Sequence, residues 1–136
     1  MSDHLRALAE GYTAAWCSQD AESVAAFYAP DGSLTINEGA AAVGRVAISE
    51  AAQGFMTAFP DLVVSMDELV IEGERAIYHW TLRGTNSGPG GTGKRVRIQG
   101  FEQWVIGADG RIAESRGFFD AMVYQRQLEQ GIDDSV

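Results

Sequence analysis

The chain has 136 residues, of which 46% are hydrophobic, and this length and composition suit one globular domain over 1–136. There are 10 basic and 19 acidic residues, and the net charge of −9 would repel nucleic acid and an anionic membrane surface. Cys17 is the single cysteine, which excludes an internal disulfide. The sequence has no cluster of Cys and His residues of the kind that binds a metal. No apolar run approaches the ~20 residues of a membrane span, and residues 1–4 lack the features of a signal peptide. We therefore expect a cytoplasmic protein.

The first half of the chain carries the spacing of amphipathic helices, because apolar side chains recur at intervals of three and four residues along three segments. Asp20 is a candidate N-cap for the second segment, and the turn residues 30–32 would end it. Pro60 ends the third segment. The predicted elements are helices over about 5–16, 20–28 and 48–59, with a short strand over 33–37 between the second helix and the third.

The second half changes to β-branched and aromatic residues separated by turn signals, which predicts an antiparallel meander. The predicted strands run over about 62–71, 75–84, 95–106 and 111–120, and a short helix over 122–129 precedes a frayed tail over 130–136. This order predicts an α+β fold in which a cone-shaped, curved antiparallel sheet wraps around the three N-terminal helices. The open end of such a cone suits a hydrophobic pocket for a small apolar or aromatic molecule.

One carboxyl is predicted to lie on a buried face of this sheet. On the strand over 96–106, Glu102 shares its alternating face with Ile98 and Trp104. Desolvation there would raise the pKa of the carboxyl and make Glu102 a candidate general acid or hydrogen-bond donor. The alternative is a different register or a bulge that turns Glu102 to solvent.

A second candidate acid–base group is Asp120, which directly follows Phe118 and Phe119 at the end of the predicted meander. These aromatic neighbours could shield its carboxyl from water. Asp120 could equally cap the helix predicted to start near Met122, a role that leaves the carboxyl exposed. The pattern leaves both interpretations open.

Other residues are candidates for the pocket wall. On the strand over 33–37, Asn37 lies on the polar face, where it either reaches the pocket mouth or lies on a solvated edge. Tyr12 faces the core on the first helix, where its phenol needs a hydrogen-bond partner. The remaining candidates for substrate binding are aromatic residues that would serve either as core or as walls of an apolar site: Trp16, Tyr28, Trp80, Trp104 and Phe119.

Two further signals are assigned no catalytic role. Residues 88–93 fit a G-x-G-x-x-G pattern, but Arg95 replaces the Ser or Thr of a phosphate loop and a strand follows instead of a helix, so we predict a hairpin loop. His79 alternates with Tyr78 and Trp80 and therefore falls on the outer face of the sheet. That face is half apolar, which predicts a homodimer formed by two paired sheets.

Five segments, in this order, carry a family resemblance that covers nearly the whole chain. They are GYTAAW at 11–16 with Asp20, FYAPDG at 27–32, FPD at 59–61, WTLRGTN at 80–86 with TGK at 92–94, and DGRIAE at 109–114 leading to Asp120. With these segments the chain resembles the SnoaL-like group of the nuclear transport factor 2 superfamily, which also contains ketosteroid isomerase and limonene epoxide hydrolase.

The resemblance implies a cone-shaped α+β roll, usually a homodimer, without a metal or an organic cofactor. Tyr12 and Glu102 match the positions at which ketosteroid isomerase keeps the Tyr and the protonated Asp of its oxyanion hole, while Asn37 stands where that enzyme has its Asp base. Asp120 matches the acid–base Asp of SnoaL-like polyketide cyclases. The resemblance therefore favours a cofactor-independent enzyme that acts on a small apolar carbonyl compound by proton transfer, of the cyclase, isomerase or lyase type.

Two alternatives use the same fold. The cone could bind a small molecule, or form an assembly surface, without catalysis. An epoxide hydrolase-like activity is the other alternative, because Asn37 and Asp120 match an Asn and an Asp of limonene epoxide hydrolase. That enzyme has an Arg and a second Asp in the strand where this chain has Tyr78, Trp80 and Leu82.

Overall fold

The structure is a computed structural model that describes residues 2–132. Most of the predicted tail over 130–136 lies outside the described residues. The elements in chain order are α1 (Ser2–Cys17), α2 (Ala21–Ala25), β1 (Tyr28–Ile36), β2 (Ala42–Val43), α3 (Arg45–Ala58), β3 (Val63–Glu72), β4 (Arg75–Thr85), β5 (Arg95–Ile106), β6 (Ile112–Phe119) and α4 (Ala121–Gln130). No helix in the described part of the chain is long and apolar enough to span a membrane.

The three N-terminal helices form where the apolar spacing predicts them. α1 and α3 each bury one stripe of side chains, so that both helices contribute to the core. The predicted cap of α2 is confirmed, because the Asp20 side chain accepts a hydrogen bond from the backbone NH of Glu22 at 3.2 Å. α3 ends at Ala58, before Pro60, as predicted.

The predicted boundary between the second helix and the first strand is wrong. α2 ends at Ala25, and β1 begins at Tyr28 and runs on through residues 30–32. Pro30 is tolerated there because the register between β1 and its neighbour β6 shifts between Tyr28 and Ser33. A residue without a backbone NH fits a strand at such an irregularity.

The six strands form one sheet in the order β2-β1-β6-β5-β4-β3. β3 to β6 form the predicted antiparallel meander, with ends within one or two residues of those predicted. β1 lies parallel to β6, so the sheet is mixed where the sequence predicted an antiparallel one. The short β2 pairs with β1. The predicted fold class, an α+β fold with helices over a curved, open sheet, is confirmed.

The outer face of the sheet carries an aromatic cluster. The ring of Phe101 lies 5.9 Å from that of His79 and 5.2 Å from that of Phe118. All three side chains are half-buried in this single chain. The placement of His79 on the outer face agrees with the prediction, and the homodimer through this face stays a prediction.

Candidate active site

The concave face of the sheet and the helices enclose a cavity that is open on one side and has an empty volume of about 560 Å³. Part of this volume is open to solvent. The wall is almost wholly apolar, and Glu102 is the carboxyl in it. The predicted site residues that line the cavity are Trp16, Trp80, Glu102 and Phe119. Apolar side chains of Leu34, Ile36, Phe55, Val64, Leu82 and Ile98 complete most of the wall.

Glu102 faces inward, as the strand alternation predicts, and is 8% exposed. Its Oε1 accepts hydrogen bonds from Trp104 Nε1 at 2.8 Å, from Ser115 Oγ at 2.8 Å and from the Tyr12 hydroxyl at 3.0 Å. Its Oε2 lies 3.2 Å from the same Tyr12 hydroxyl. One oxygen of the carboxyl is therefore surrounded by donors, and the other has a single protein contact among the described residues.

The hydroxyls of Tyr28 and Tyr12 and the Glu102 carboxyl form a chain of hydrogen bonds that runs from Tyr28 to Glu102. Tyr12 has one hydroxyl proton and directs it to Glu102, so the 2.8 Å contact between the hydroxyls of Tyr12 and Tyr28 is donated by Tyr28. Burial, together with the negative charge of Glu102, raises the pKa of both phenols well above the ordinary value of 10.0. Both phenols therefore remain protonated donors at neutral pH.

Burial also raises the pKa of the Glu102 carboxyl above its ordinary value of 4.5. The hydrogen bonds from Trp104, Ser115 and Tyr12 act in the opposite direction, because they favour the ionised form. When Glu102 is protonated, three donors occupy Oε1, so the proton belongs on Oε2. Oε1 of Glu102 is thus a fixed acceptor, and burial favours the protonated form of this carboxyl.

Three predicted site residues support Glu102 instead of lining the cavity. Tyr12 is fully buried, and its hydroxyl bonds Glu102 and Tyr28. Trp104 donates to Glu102 and stacks on Tyr78 with ring centroids 4.9 Å apart. Tyr28 and Trp104 are not among the residues that line the cavity, and their part in substrate binding stays a prediction. The Tyr12 hydroxyl donates to Glu102, and the role of these two residues as oxyanion donors stays a prediction.

Ser115 is a site residue that the sequence reasoning missed. It lies on β6 opposite Trp104, is fully buried, and donates to Glu102. Its position on a strand next to the one that carries Glu102 required the register between β5 and β6. A small hydroxyl residue two positions before Gly117, on the inward face of a predicted strand, was the available signal.

Asp120 lies outside this network. Its carboxylate is exposed and caps α4, accepting hydrogen bonds from the backbone NH groups of Met122 at 3.0 Å and Val123 at 3.1 Å. The interpretation in which aromatic neighbours shield this carboxyl is wrong, because Phe119 turns into the cavity wall while Asp120 turns to the helix. The alternative, a cap, is the one that the structure contains.

Asn37 follows the end of β1 in a left-handed conformation, with φ of 54°. Its backbone NH donates to Gly117 at 2.7 Å, and its side-chain oxygen accepts from the backbone NH of Phe119 at 3.0 Å. Asn37 thus fixes the β6 segment that carries two cavity residues. Its carboxamide oxygen is used by the backbone.

The described residues contain no group of three or more His, Cys, Asp or Glu side chains arranged to hold a metal ion. The polar groups of the cavity wall include the Glu102 carboxyl, the Tyr78 phenol and the indoles of Trp16 and Trp80. The Tyr78 hydroxyl contacts Thr13 Oγ1, which itself donates to the backbone oxygen of Ala9 at 2.8 Å. Tyr78 is therefore the donor to Thr13.

Solved structures share this fold. A protein with a ketosteroid isomerase-like fold from Catenulispora acidiphila DSM 44928, in complex with trimethylamine, has a TM-score of 0.79 at 15% identity, over 90% of this chain and 92% of that chain. An NTF2-like protein of unknown function from Burkholderia pseudomallei K96243 has a TM-score of 0.79 at 21% identity, over 94% and 98%. SalBIII, an epoxide hydrolase/cyclase-like enzyme with a role in pyran ring formation in the polyether salinomycin, has a TM-score of 0.75 at 16% identity, over 86% and 91%.

These likenesses establish the fold. A search of curated proteins finds no significant match. A family model described as SnoaL-like polyketide cyclase matches residues 6–128, which is nearly the whole chain. The family resemblance of the five sequence segments is thereby confirmed, and the chain belongs to the SnoaL-like polyketide cyclase family.

Proposed function

We propose that this chain is a cofactor-independent enzyme that binds a small, mostly apolar carbonyl compound in the cavity and acts on it by proton transfer of the cyclase or isomerase type. The proposal extends the family assignment to a reaction class. The observation that carries it is the Glu102 carboxyl, which is desolvated, held by three donors, and part of an apolar wall. Perturbed carboxyls in such cavities are typical of acid–base sites.

The chemistry follows from where the Glu102 proton lies. A carbonyl oxygen in the cavity would accept the hydrogen bond of Oε2–H. When the C–H bond next to the carbonyl breaks, its electron pair forms the C=C bond of an enol, and the carbonyl oxygen takes up the Glu102 proton. The proton released from carbon passes to water at the open side of the cavity. In an isomerisation, water returns a proton to carbon while the enol O–H gives its proton back to the Glu102 carboxylate. In a ring closure, the enol carbon attacks a second carbonyl, the enol proton returns to Glu102, and the new alkoxide takes up a proton from water.

Tyr12, Trp104 and Ser115 would act as positioning residues in this scheme. Each donates to Oε1, so together they fix the carboxyl and stabilise the carboxylate formed when Oε2 gives up its proton. A hydrogen bond to an ionised group is about twice as strong as one to a neutral group. The network therefore opposes the desolvation cost at the moment that Glu102 becomes charged.

Asp120 has a smaller place in the proposal than the sequence suggested. Its carboxylate is committed to the first turn of α4. The sequence-based assignment of Asp120 as the acid–base group stays a prediction, and the geometry supports Glu102 better because Glu102 belongs to the cavity wall.

The test uses acetophenone as the probe and follows exchange of its methyl protons in deuterium oxide by NMR. We expect the protein to accelerate this exchange and Glu102→Gln to abolish most of the acceleration. A glutamine keeps an acceptor for Trp104 and Ser115 and keeps a donor at the position of Oε2, so it conserves the hydrogen bonds without a transferable proton. Glu68→Gln, at an exposed carboxyl on β3, is the matched control and should exchange like the wild type.

Binding without catalysis is the second candidate function, and the exposed position of Asp120 favours it, because Glu102 is then the one carboxyl that the described residues contribute to the cavity wall. Acetophenone that stabilises the wild type in a thermal-shift titration without faster exchange would support this candidate and overturn the proposed enzyme.

A further inference from the structure

The indole of Trp80 carries a polar atom that the proposed chemistry does not use. Among the described residues, Trp80 Nε1 is the buried side-chain nitrogen or oxygen that has no hydrogen-bond partner. Such a group is uncommon in native proteins, because a buried donor loses its bond to water and gains nothing in return. Its presence in a cavity wall calls for a physical explanation.

Trp80 and Glu102 lie on the same inward face of neighbouring strands. Tyr78 on β4 is paired with Glu102 on β5, and Trp80 is paired with Gly100. Trp80 is therefore two residues along β4 from the position opposite Glu102, a separation of about 6.7 Å along the strand. Both side chains contribute to the wall of the same cavity.

The neighbours of Trp80 hold its ring in place. A Cβ built at Gly100 would lie 2.5 Å from Cζ2 and 2.8 Å from Cη2 of the indole, so the ring occupies the space that a side chain at residue 100 would need. The ring of Phe119 packs against the indole with centroids 6.1 Å apart and an interplanar angle of 65°. The donor is therefore positioned before any ligand binds, which lowers the entropic cost of using it.

The Tyr78 hydroxyl, another polar group of this wall, already uses its proton in a hydrogen bond within the protein. The Tyr78 hydroxyl donates to Thr13, so it does not compete for an oxygen of a ligand. Glu102 and Trp80 thus belong to one largely apolar wall, in which Trp80 Nε1 has no partner among the described residues. The Trp16 indole also lines this wall, and it is hydrogen-bonded to the Tyr12 hydroxyl.

We propose that Trp80 Nε1–H donates a hydrogen bond to a second oxygen of the ligand, and that the ligand class of this cavity is a compact apolar compound with two carbonyl oxygens. One oxygen would bind at Glu102, and the other at Trp80. This inference rests on the proposed function, because it takes Glu102 as the site of the first oxygen. An indole NH donates and does not accept, so the second ligand group must be an acceptor.

The experiment compares two probes that share a benzene ring, acetophenone and 1,4-diacetylbenzene. In the wild type we expect the second carbonyl to tighten binding about three- to ten-fold, as one neutral hydrogen bond does, beyond the statistical factor of about two. Trp80→Phe removes the donor and should reduce the gain to the statistical factor. Phe55→Leu, which reduces the apolar wall without removing a donor, should weaken both probes and keep the gain.

A second measurement uses the wild type alone and does not depend on how a variant folds. In 15N-labelled protein, the indole NH signal of Trp80 should move downfield with 1,4-diacetylbenzene and much less with acetophenone. The Trp104 indole, already bonded to Glu102, is the internal reference. An unchanged Trp80 signal, or an affinity gain that survives in Trp80→Phe, would overturn the inference and leave the Phe119 ring as the partner of the NH.

The two proposals fail in distinguishable ways. If the wild type does not accelerate the exchange of the acetophenone methyl protons, the proposed enzymatic function is contradicted. If the wild type accelerates the exchange but binds the two probes with equal affinity after the statistical factor is removed, only the role of Trp80 is contradicted.

Discussion

Glu102 lies in the cavity wall and Asp120 directly follows the wall residue Phe119, yet the two carboxyls have opposite surroundings. Glu102 is 8% exposed and is held by donors from three different elements, α1, β5 and β6. Asp120 is exposed, and its two donors are backbone NH groups of the helix that it begins. The first carboxyl depends on tertiary contacts, and the second depends on local ones.

The difference explains why the two groups are suited to different tasks. Burial raises the pKa of Glu102, so this carboxyl can hold a proton that a ligand can take. The Asp120 carboxylate accepts hydrogen bonds from two backbone NH groups at a helix N-terminus, so it is committed to capping α4. Both residues carry a carboxyl, so the residue type does not distinguish their roles. Their solvent exposure and the groups that donate hydrogen bonds to them do.

The largest expected effect concerns activity. Glu102→Gln should lower the rate of acetophenone exchange at least about a hundred-fold, in the range usual for the loss of an acid–base group. Asp120→Asn should lower it less than about ten-fold, because asparagine also caps helices well. Both rates are measured by NMR in deuterium oxide. A larger loss in Asp120→Asn than in Glu102→Gln would reverse the comparison and restore Asp120 as the acid–base group.

The next effect concerns stability. Glu102→Leu removes the acceptor of Trp104, Ser115 and Tyr12, and each buried donor left without a partner costs about 1–3 kcal/mol, so the free energy of unfolding should fall by at least about 3 kcal/mol. Glu102→Gln, which keeps the acceptor, should lose much less. Urea denaturation measures both. An equal fall in the free energy of unfolding in the two variants would show that the loss does not come from donors left without an acceptor at residue 102.

The pH dependence of stability isolates the charge of Glu102. Because the folded-state pKa is raised, the protonated carboxyl stabilises the fold fully below its ordinary pKa of 4.5, and this contribution is lost as the pH rises through the higher folded-state pKa. The wild type should therefore lose stability relative to Glu102→Gln with rising pH, by at most about 1.4 kcal/mol per pH unit. Denaturation at several pH values measures it, with Glu68→Gln as the control. Parallel curves for wild type and Glu102→Gln would contradict the raised pKa.

The smallest effect concerns the cap. Asp120→Ala should lower the free energy of unfolding by about 1 kcal/mol, because two NH groups in the first turn of α4 lose their acceptor. Asp120→Asn should retain most of that stability. The comparison is made by urea denaturation. An Asp120→Ala variant as stable as the wild type would remove the structural role of Asp120.

The site could be predicted from sequence as far as strand alternation reaches. Alternation placed Glu102 on the inward face of β5, and the buried pattern of that strand confirms it. Alternation could not identify Ser115 as a donor, because that contact depends on the register between β5 and β6. It also could not separate the wall residue Trp80 from Trp104, which lies behind the wall, since both are aromatic residues on inward faces.

The amino-acid sequence by itself determined the features that local patterns predict: the helical stripes of α1 and α3, the cap of α2, and the four meander strands with their turns. It also determined the family to which the chain belongs. Only the tertiary structure decided the parallel placement of β1 beside β6, the use of residues 30–32 within a strand, and the environments of Glu102 and Asp120. The physical reason is distance along the chain. Apolar spacing and caps act within a few residues, whereas desolvation and hydrogen bonding at Glu102 join residues 12, 102 and 115, which only the fold brings together.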